Sequence, residues 1–217
     1  MIRSLLLFFI LFPLLAAAQS AELSEAYQKK MTYQNAKDYK SATVWGEKAI
    51  SLAEKEFGKT SANYGNYASD LASLYQLKSE FDLAGKWYLV SYKIYSGTYG
   101  ADHAYTSTTA YNLALVNQSQ GKSAEAESYF LKAIQGYEKS LGTGHDYYKM
   151  VLQSIIQFYD KNGEYRKLDP FLQTDLEIVA RKSGRSGAEY AAALNNLALN
   201  YSHLNDFAAA EKNYLEA

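Results

Sequence analysis

A chain of 217 residues with 22 basic and 23 acidic side chains carries a formal charge of −1, so no global field steers it toward nucleic acid or an acidic surface. It has no cysteine, which excludes a disulfide framework and any thiol-linked lipid. Tyrosine is abundant at 21 residues and has to be divided between packing and recognition.

The first residues differ from all that follows. Arg3 supplies a positive start, Leu5 to Leu15 form an apolar run broken by Pro13, and Ala16-Ala17-Ala18 offer a small-residue cleavage site. Residues 1–18 are therefore expected to be a secretory signal peptide cut before Gln19. The apolar run is shorter than the ~20 residues a spanning helix needs. The mature chain is expected to be exported to a periplasmic or extracellular space and not to span a membrane.

Beyond the leader the chain writes one unit five times. Gly58, Gly100, Gly142 and Gly184 are each 42 residues apart. The same step links Ala42, Ala84, Ala126, Leu168 and Ala210, and also Tyr39, Phe81, Tyr165 and Phe207, with Ser123 in place of the ring. Repeat one is assigned to 19–60, repeat two to 61–100, repeat three to 101–142, repeat four to 143–184 and an incomplete repeat five to 185–217.

The third unit shows the pattern most clearly. Ala110, Leu113, Ala114 and Asn117 share one helical stripe; Gly121 interrupts it, and Ser123 is expected to cap a second helix. That helix carries Ala126, Tyr129, Phe130, Ala133, Ile134 and Tyr137 on its apolar side. Small residues recur at Ala72, Ala114 and Ala198 in the first helices and at Ala84, Ala126 and Ala210 in the second, so the two backbones can approach closely. Neither helix buries its stripe within one hairpin, so neighbouring hairpins must stack. The fold expected is all-α, a solenoid of antiparallel helix pairs.

These columns resemble the tetratricopeptide repeat, with Ala68, Leu71, Ala72, Tyr75, Ala84 and Tyr88 matching its small and large apolar positions. The longer period, the Asn-Leu-Ala segments at 112–114 and 196–198, and the Gly-x-x-His spacings Gly100 to His103 and Gly142 to His145 are similar to the kinesin-light-chain type. The resemblance implies a right-handed superhelix.

Departures from the pattern carry the finer expectations. In repeat one, Lys29 and Lys30 stand where later copies have Leu and Ala, which predicts a polar outer face and an N-terminal cap. In repeat four, Ile156 and Leu168 replace Ala, and Pro170 predicts a second helix that starts late behind an Asp169 cap, or bends, with a change of superhelical pitch. Repeat five stops at Ala217 with its stripe uncovered, as at the front of a longer protein with a further C-terminal domain.

Catalytic and metal-site patterns are missing: there is no HExxH, no phosphate loop and no nucleophile elbow. His103 and His145 recur with the period and are expected to be positioned by the fold, while His203 is expected to be solvated. Glu125, Glu127, Glu211 and Glu216 serve solubility, and the sequons at Asn117 and Asn200 fall inside helices. No catalytic residue, cofactor or metal site is assigned, and this chain by itself is not expected to be an enzyme.

Tyr33, Tyr75, Tyr159 and Tyr201 share one packing column, and Tyr88 and Tyr214 another. Tyr64, Tyr67, Tyr105 and above all Tyr111 lie off both and are freer to meet a partner.

The family resemblance implies that first helices line a concave face on which an extended peptide lies. The inner columns carried over are Ser69, Tyr111, Gln153 and Asn195; Asp70, Asn112, Ser154 and Asn196; and Ser73, Leu115, Gln157 and Leu199. Amides that both donate and accept suit a peptide backbone without imposing a charge. Only Lys149 and Lys161 offer positive charge there, offset by Asp70 and Asp160, so acidic tails should be weakly preferred.

Three organisations fit: an exported adaptor binding a protein or extended peptide, the recruiting or sensing arm of a longer enzyme, or a scaffold that self-associates through its uncovered end. Leader-plus-repeat arrays of this kind resemble the front of bacterial proteins that end in a CHAT peptidase domain or a sensor histidine kinase. Leu113 and Leu197 should fill the space between hairpins, so truncating either to alanine should lower the unfolding free energy by about 2–5 kcal/mol in a denaturant melt. Equivalent changes in repeat one should cost much less.

Overall fold

The computed structural model describes residues 20–217, so the expected leader lies outside the described residues. Ten helices follow one another: α1 Ala21–Asn35, α2 Tyr39–Phe57, α3 Ala62–Leu77, α4 Phe81–Tyr99, α5 Ala104–Ser119, α6 Ser123–Leu141, α7 Asp146–Lys161, α8 Tyr165–Ser183, α9 Ala188–His203 and α10 Phe207–Glu216. The second helices α2, α4, α6, α8 and α10 begin 42 residues apart, and so do the first helices α3, α5, α7 and α9. Each helix packs mainly against its neighbours in the chain, as stacked hairpins require. Two successive cores result, one reaching from Leu23 to Val116 and the other from Ala110 to Leu197.

Two kinds of turn set the register. Gly58, Gly100 and Gly142 close α2, α4 and α6 with φ of 78°, 93° and 81° and ψ of 155°, 164° and 161°, a region open essentially to glycine alone. Within each hairpin the turn needs only an ordinary left-handed residue, and Lys37, Ser79, Gly121, Gly163 and Asn205 share it with φ between 60° and 72°. A recurring glycine in the sequence therefore marks the joints between hairpins and not the bends within them.

The caps correct one expectation. Ser123 is the first residue of α6, and Lys122, which makes no side-chain bond, occupies the cap. At the same position in α2 and α10, Asp38 and Asp206 do cap, accepting from the amides of Ser41 and Ala209. His103 and His145 cap α5 and α7, each accepting a backbone N–H at Nδ1 from the residue two places on at 3.2 Å.

Repeat four starts on time. α8 runs unbroken from Tyr165 with Glu164 at its cap, so the late start behind Asp169 does not occur. Pro170 lies inside the helix on its exposed side, and the carbonyl it deprives of a donor belongs to exposed Arg166, where water can serve.

Lys30 is a second correction. Its outer-face position is in fact 1% exposed, with the stem beside Gly46 and the ammonium 3.2 Å from Asp70 of the next repeat. The column that holds Gly46 holds Tyr88, Phe130 and Leu172 in later copies, so one side chain shrinks where its neighbour grows.

The same exchange recurs higher in the hairpins. Gly65 lies against Ile94 in repeat two, and a Cβ there would approach Ile94 Cγ2 at 3.2 Å. In repeat three the small residue changes sides: Gly136 takes the column of Ile94, and a Cβ on it would collide with Ser107 Oγ. In repeat four neither is small, because Lys149 and Ile178 occupy these columns while Ile156 and Leu168 fill the alanine columns. The backbones of α7 and α8 accordingly run close together over far less of their length than those of α5 and α6.

Gly136→Ile should overpack this contact and destabilise by about 1–3 kcal/mol. Ser107→Gly should be coupled to it by about 1–2 kcal/mol in a double-mutant cycle read by urea melts, and strict additivity would contradict the exchange.

Candidate functional site

The twelve groove candidates fall into a closed and an open stretch. Ser69 and Asp70 are half-buried and Ser73 is buried, its hydroxyl donating to the Asp70 carbonyl at 2.7 Å. Asp70 is held by Lys30, an ammonium that the sequence pattern had placed outside the groove. Burial, followed by the nearby Asp70 charge, pushes the Tyr27 phenol far above its usual range.

Tyr111 is 7% exposed, its ring 6.0 Å from Phe130 and its hydroxyl 2.9 Å from Ser154 Oγ. It ties repeat three to repeat four. Tyr64 and Tyr67, expected to be free, are buried too, with Tyr67 edge-on to Tyr27 at 5.6 Å. Tyr105 belongs to a ring cluster with Tyr95, Tyr99 and His103. Asn112 and Leu115 are half-buried.

Gln153, Gln157, Asn195, Asn196 and Leu199 are exposed. The structure brings Gln153, Gln157, Asn196 and Leu199 around one cleft of about 230 Å³ between α7, α8 and α9. Ile156, Leu168 and Leu172 contribute apolar wall, and Asp160 and His203 complete it. The cleft lies where bulky residues hold α7 and α8 apart. Gln153 is partly engaged, donating to Asp175 at 2.7 Å, and burial, opposed by that bond, holds the Asp175 carboxyl above its ordinary range. His203, expected to be solvated, is exposed but stacks on Tyr165 with ring centres 4.1 Å apart.

A polar brace backs this region. Glu127 of α6 accepts from Tyr159 of α7 at 2.9 Å and from Lys167 of α8 at 2.8 Å. Burial alone would raise the Glu127 carboxyl, but the bonds from Lys167 and Tyr159 outweigh it and hold it below 4.5. Among the described residues no group of His, Asp or Glu is placed to hold a metal ion, and no helix is long and apolar enough to cross a membrane.

Stacked pairs at this period, with alanine seams and glycine joints, have known counterparts. Residues 68–139 match the model of the tetratricopeptide repeat family. A kinesin light chain protein from Podosopora anserina, built of nearly identical TPR-like repeats, superposes with a TM-score of 0.72 at 19% identity, over 89% of this chain and 92% of that one. Residues 68–139 are thus tetratricopeptide repeat, and the fold of the chain is that of kinesin-light-chain-like repeat proteins.

BtubC (BKLC) from P. vanneervenii matches with a TM-score of 0.67 at 18% identity, over 91% of this chain and 89% of BtubC. Aspartyl phosphate phosphatase F from Bacillus subtilis gives 0.60 at 16% identity, and the match covers 90% of this chain but 59% of that one. At such identities the likeness is one of fold. A search of curated protein sequences gives no match.

Because the folded Glu127 value is depressed, the stability it contributes is complete above 4.5 and is lost as pH falls through the lower folded value. Glu127→Gln should therefore flatten the acid limb of a stability–pH profile while lowering stability at neutral pH. An unchanged acid limb would contradict the brace.

Proposed function

We propose that this tetratricopeptide repeat array is an exported, non-catalytic scaffold that holds an extended segment of a partner protein across its first helices. A protein-binding scaffold is what the repeat fold suggests. The observation that carries the finer reading is the run of exposed amides Gln153, Gln157, Asn195 and Asn196 beside an apolar cleft, with Leu199 49% exposed among them. Amides meet backbone N–H and C=O groups, and the apolar wall takes a side chain. Lys30 neutralises Asp70 at the other end of the array, so the groove has little net charge with which to select. The leader supports export, and the same groove would serve a recruiting arm attached to a catalytic domain.

Screening a random peptide library should return sequences of mixed charge whose binding weakens at least ~10-fold in a Gln157→Ala/Asn196→Ala variant and is unchanged by Lys132→Ala on exposed α6 surface. A set dominated by acidic C-termini and abolished by salt would overturn the neutral groove. N-terminal sequencing of the protein recovered outside the cytoplasm should begin at Gln19, and retention of Met1 would remove export from the proposal.

A further inference from the structure

Asn200 breaks a packing column. Leu74, Val116 and Phe158 precede it at the repeat period, all essentially buried between one hairpin and the next. Leu74 lies beside Gly46 of α2, Val116 beside Gly85 of α4, and Phe158 has its ring 5.5 Å from Phe130 of α6. In the fifth repeat this apolar plug becomes a carboxamide. Asn200 is 2% exposed, and neither its Oδ1 nor its Nδ2 has a hydrogen-bond partner.

A buried amide with both ends unmet is costly to keep where leucine or valine would pack. Asn200 also lines the cleft between α7, α8 and α9, whose other walls include Ile156, Leu168, Leu172 and Leu199. Nothing bonds the amide in place, so turning it toward the cleft breaks no hydrogen bond. Once turned, it presents one donor and one acceptor on the same edge, inside an apolar enclosure.

The complement of that edge is narrow. A single trans peptide unit carries its N–H and C=O on opposite sides. The same-side N–H and C=O of one extended residue reach Asn200 only if the main chain itself enters the cleft, whose volume of about 230 Å³ suits a side chain. A primary carboxamide carries them side by side and can close a two-bond ring with Asn200. A carboxylate brings no donor for Oδ1, and Asp160 at the cleft repels it. The cleft volume of about 230 Å³ admits a group of glutamine size.

We propose that this cleft is a specificity subsite for a primary carboxamide, either a glutamine or asparagine side chain or an amidated C-terminus, with Asn200 as the reading residue. The proposal rests on peptide binding along the first helices and adds to it the side chain that is selected in repeats four and five.

The test is a titration of the full chain with three capped peptides, followed by the Asn200 side-chain N–H resonances and the Leu168 and Leu172 methyls. One peptide has a central glutamine, one ends in a primary amide with only alanine side chains, and one has a central glutamate. At least one carboxamide peptide should move these resonances saturably and bind roughly 10-fold or more tightly than the glutamate peptide, and the stronger of the two names the source. Asn200→Leu should melt at a higher temperature, as a restored plug, and lose the discrimination. Equal response to glutamine and glutamate, or discrimination that survives in Asn200→Leu, would overturn the subsite. So would an Asn200 amide that instead answers to Asp169→Asn, since Asp169 Oδ1 on α8 also has no partner and falls opposite at the Gly85–Val116 offset. Peptides that perturb Gln157 and Asn196 but not Asn200 would leave the groove standing and remove only the subsite.

Discussion

Helix spacing within each hairpin is set by what meets at two levels of the seam. At one level alanine faces alanine in repeats two, three and five, and at the other a glycine faces a larger residue in repeats two and three. Where a side chain at that upper level grows, its neighbour shrinks, as Gly65 with Ile94 becomes Ser107 with Gly136. A close-packed interior leaves little other choice, because an added methylene has to displace something. Repeat one departs through Leu23 with Leu52 and through Lys30, but repeat four is where two bulky residues meet at both levels, and α7 and α8 stand apart. One cleft lies beside Ile156 and Leu168 and another, of about 300 Å³, beside Lys149 and Ile178. Both clefts lie in or beside repeat four, whereas the cleft of about 570 Å³ between the hairpin turns at Ser79 and Gln120 owes nothing to the seam.

Much of this was legible in the sequence. Period, helix pairing and alanine seams follow from residue spacing, because each repeat solves the same burial problem with the same residue sizes. The crowding of repeat four was readable from Ile156 and Leu168. Its consequence was misassigned to the start of α8, since Pro170 draws attention while its solvent-facing side makes it harmless. Lys30 was misread because a charge at a core column looks like a cap. Its partner Asp70 lies 40 residues away, and only the fold brings the two together.

The groove candidates were chosen from the family's inner columns, and columns alone do not say which rungs stay open. Tyr111 stood off both packing columns, yet its ring meets Phe130 within its own repeat and its hydroxyl meets Ser154 of the next. Asn200 is the opposite case: the sequence shows it as a sequon inside a helix, and only its interior column marks it as a buried amide. The signal is a carboxamide after Leu74, Val116 and Phe158 in a column whose other polar member, Thr32, is exposed in the first repeat. Unmet hydrogen bonds on a buried amide cost about 1–3 kcal/mol. A chain that keeps them where repeats two, three and four each place an apolar residue gives up stability at a place where its surface is already open.

The size of the residues at the seam of repeat four is the feature on which the open cleft depends. A crystal structure of the Ile156→Ala/Leu168→Ala variant tests this most directly. The account predicts that α7 and α8 close toward the spacing of α5 and α6, by about 1–2 Å between axes, and that the cleft beside Asn200 shrinks. Helices that hold their separation around an emptied seam would contradict it.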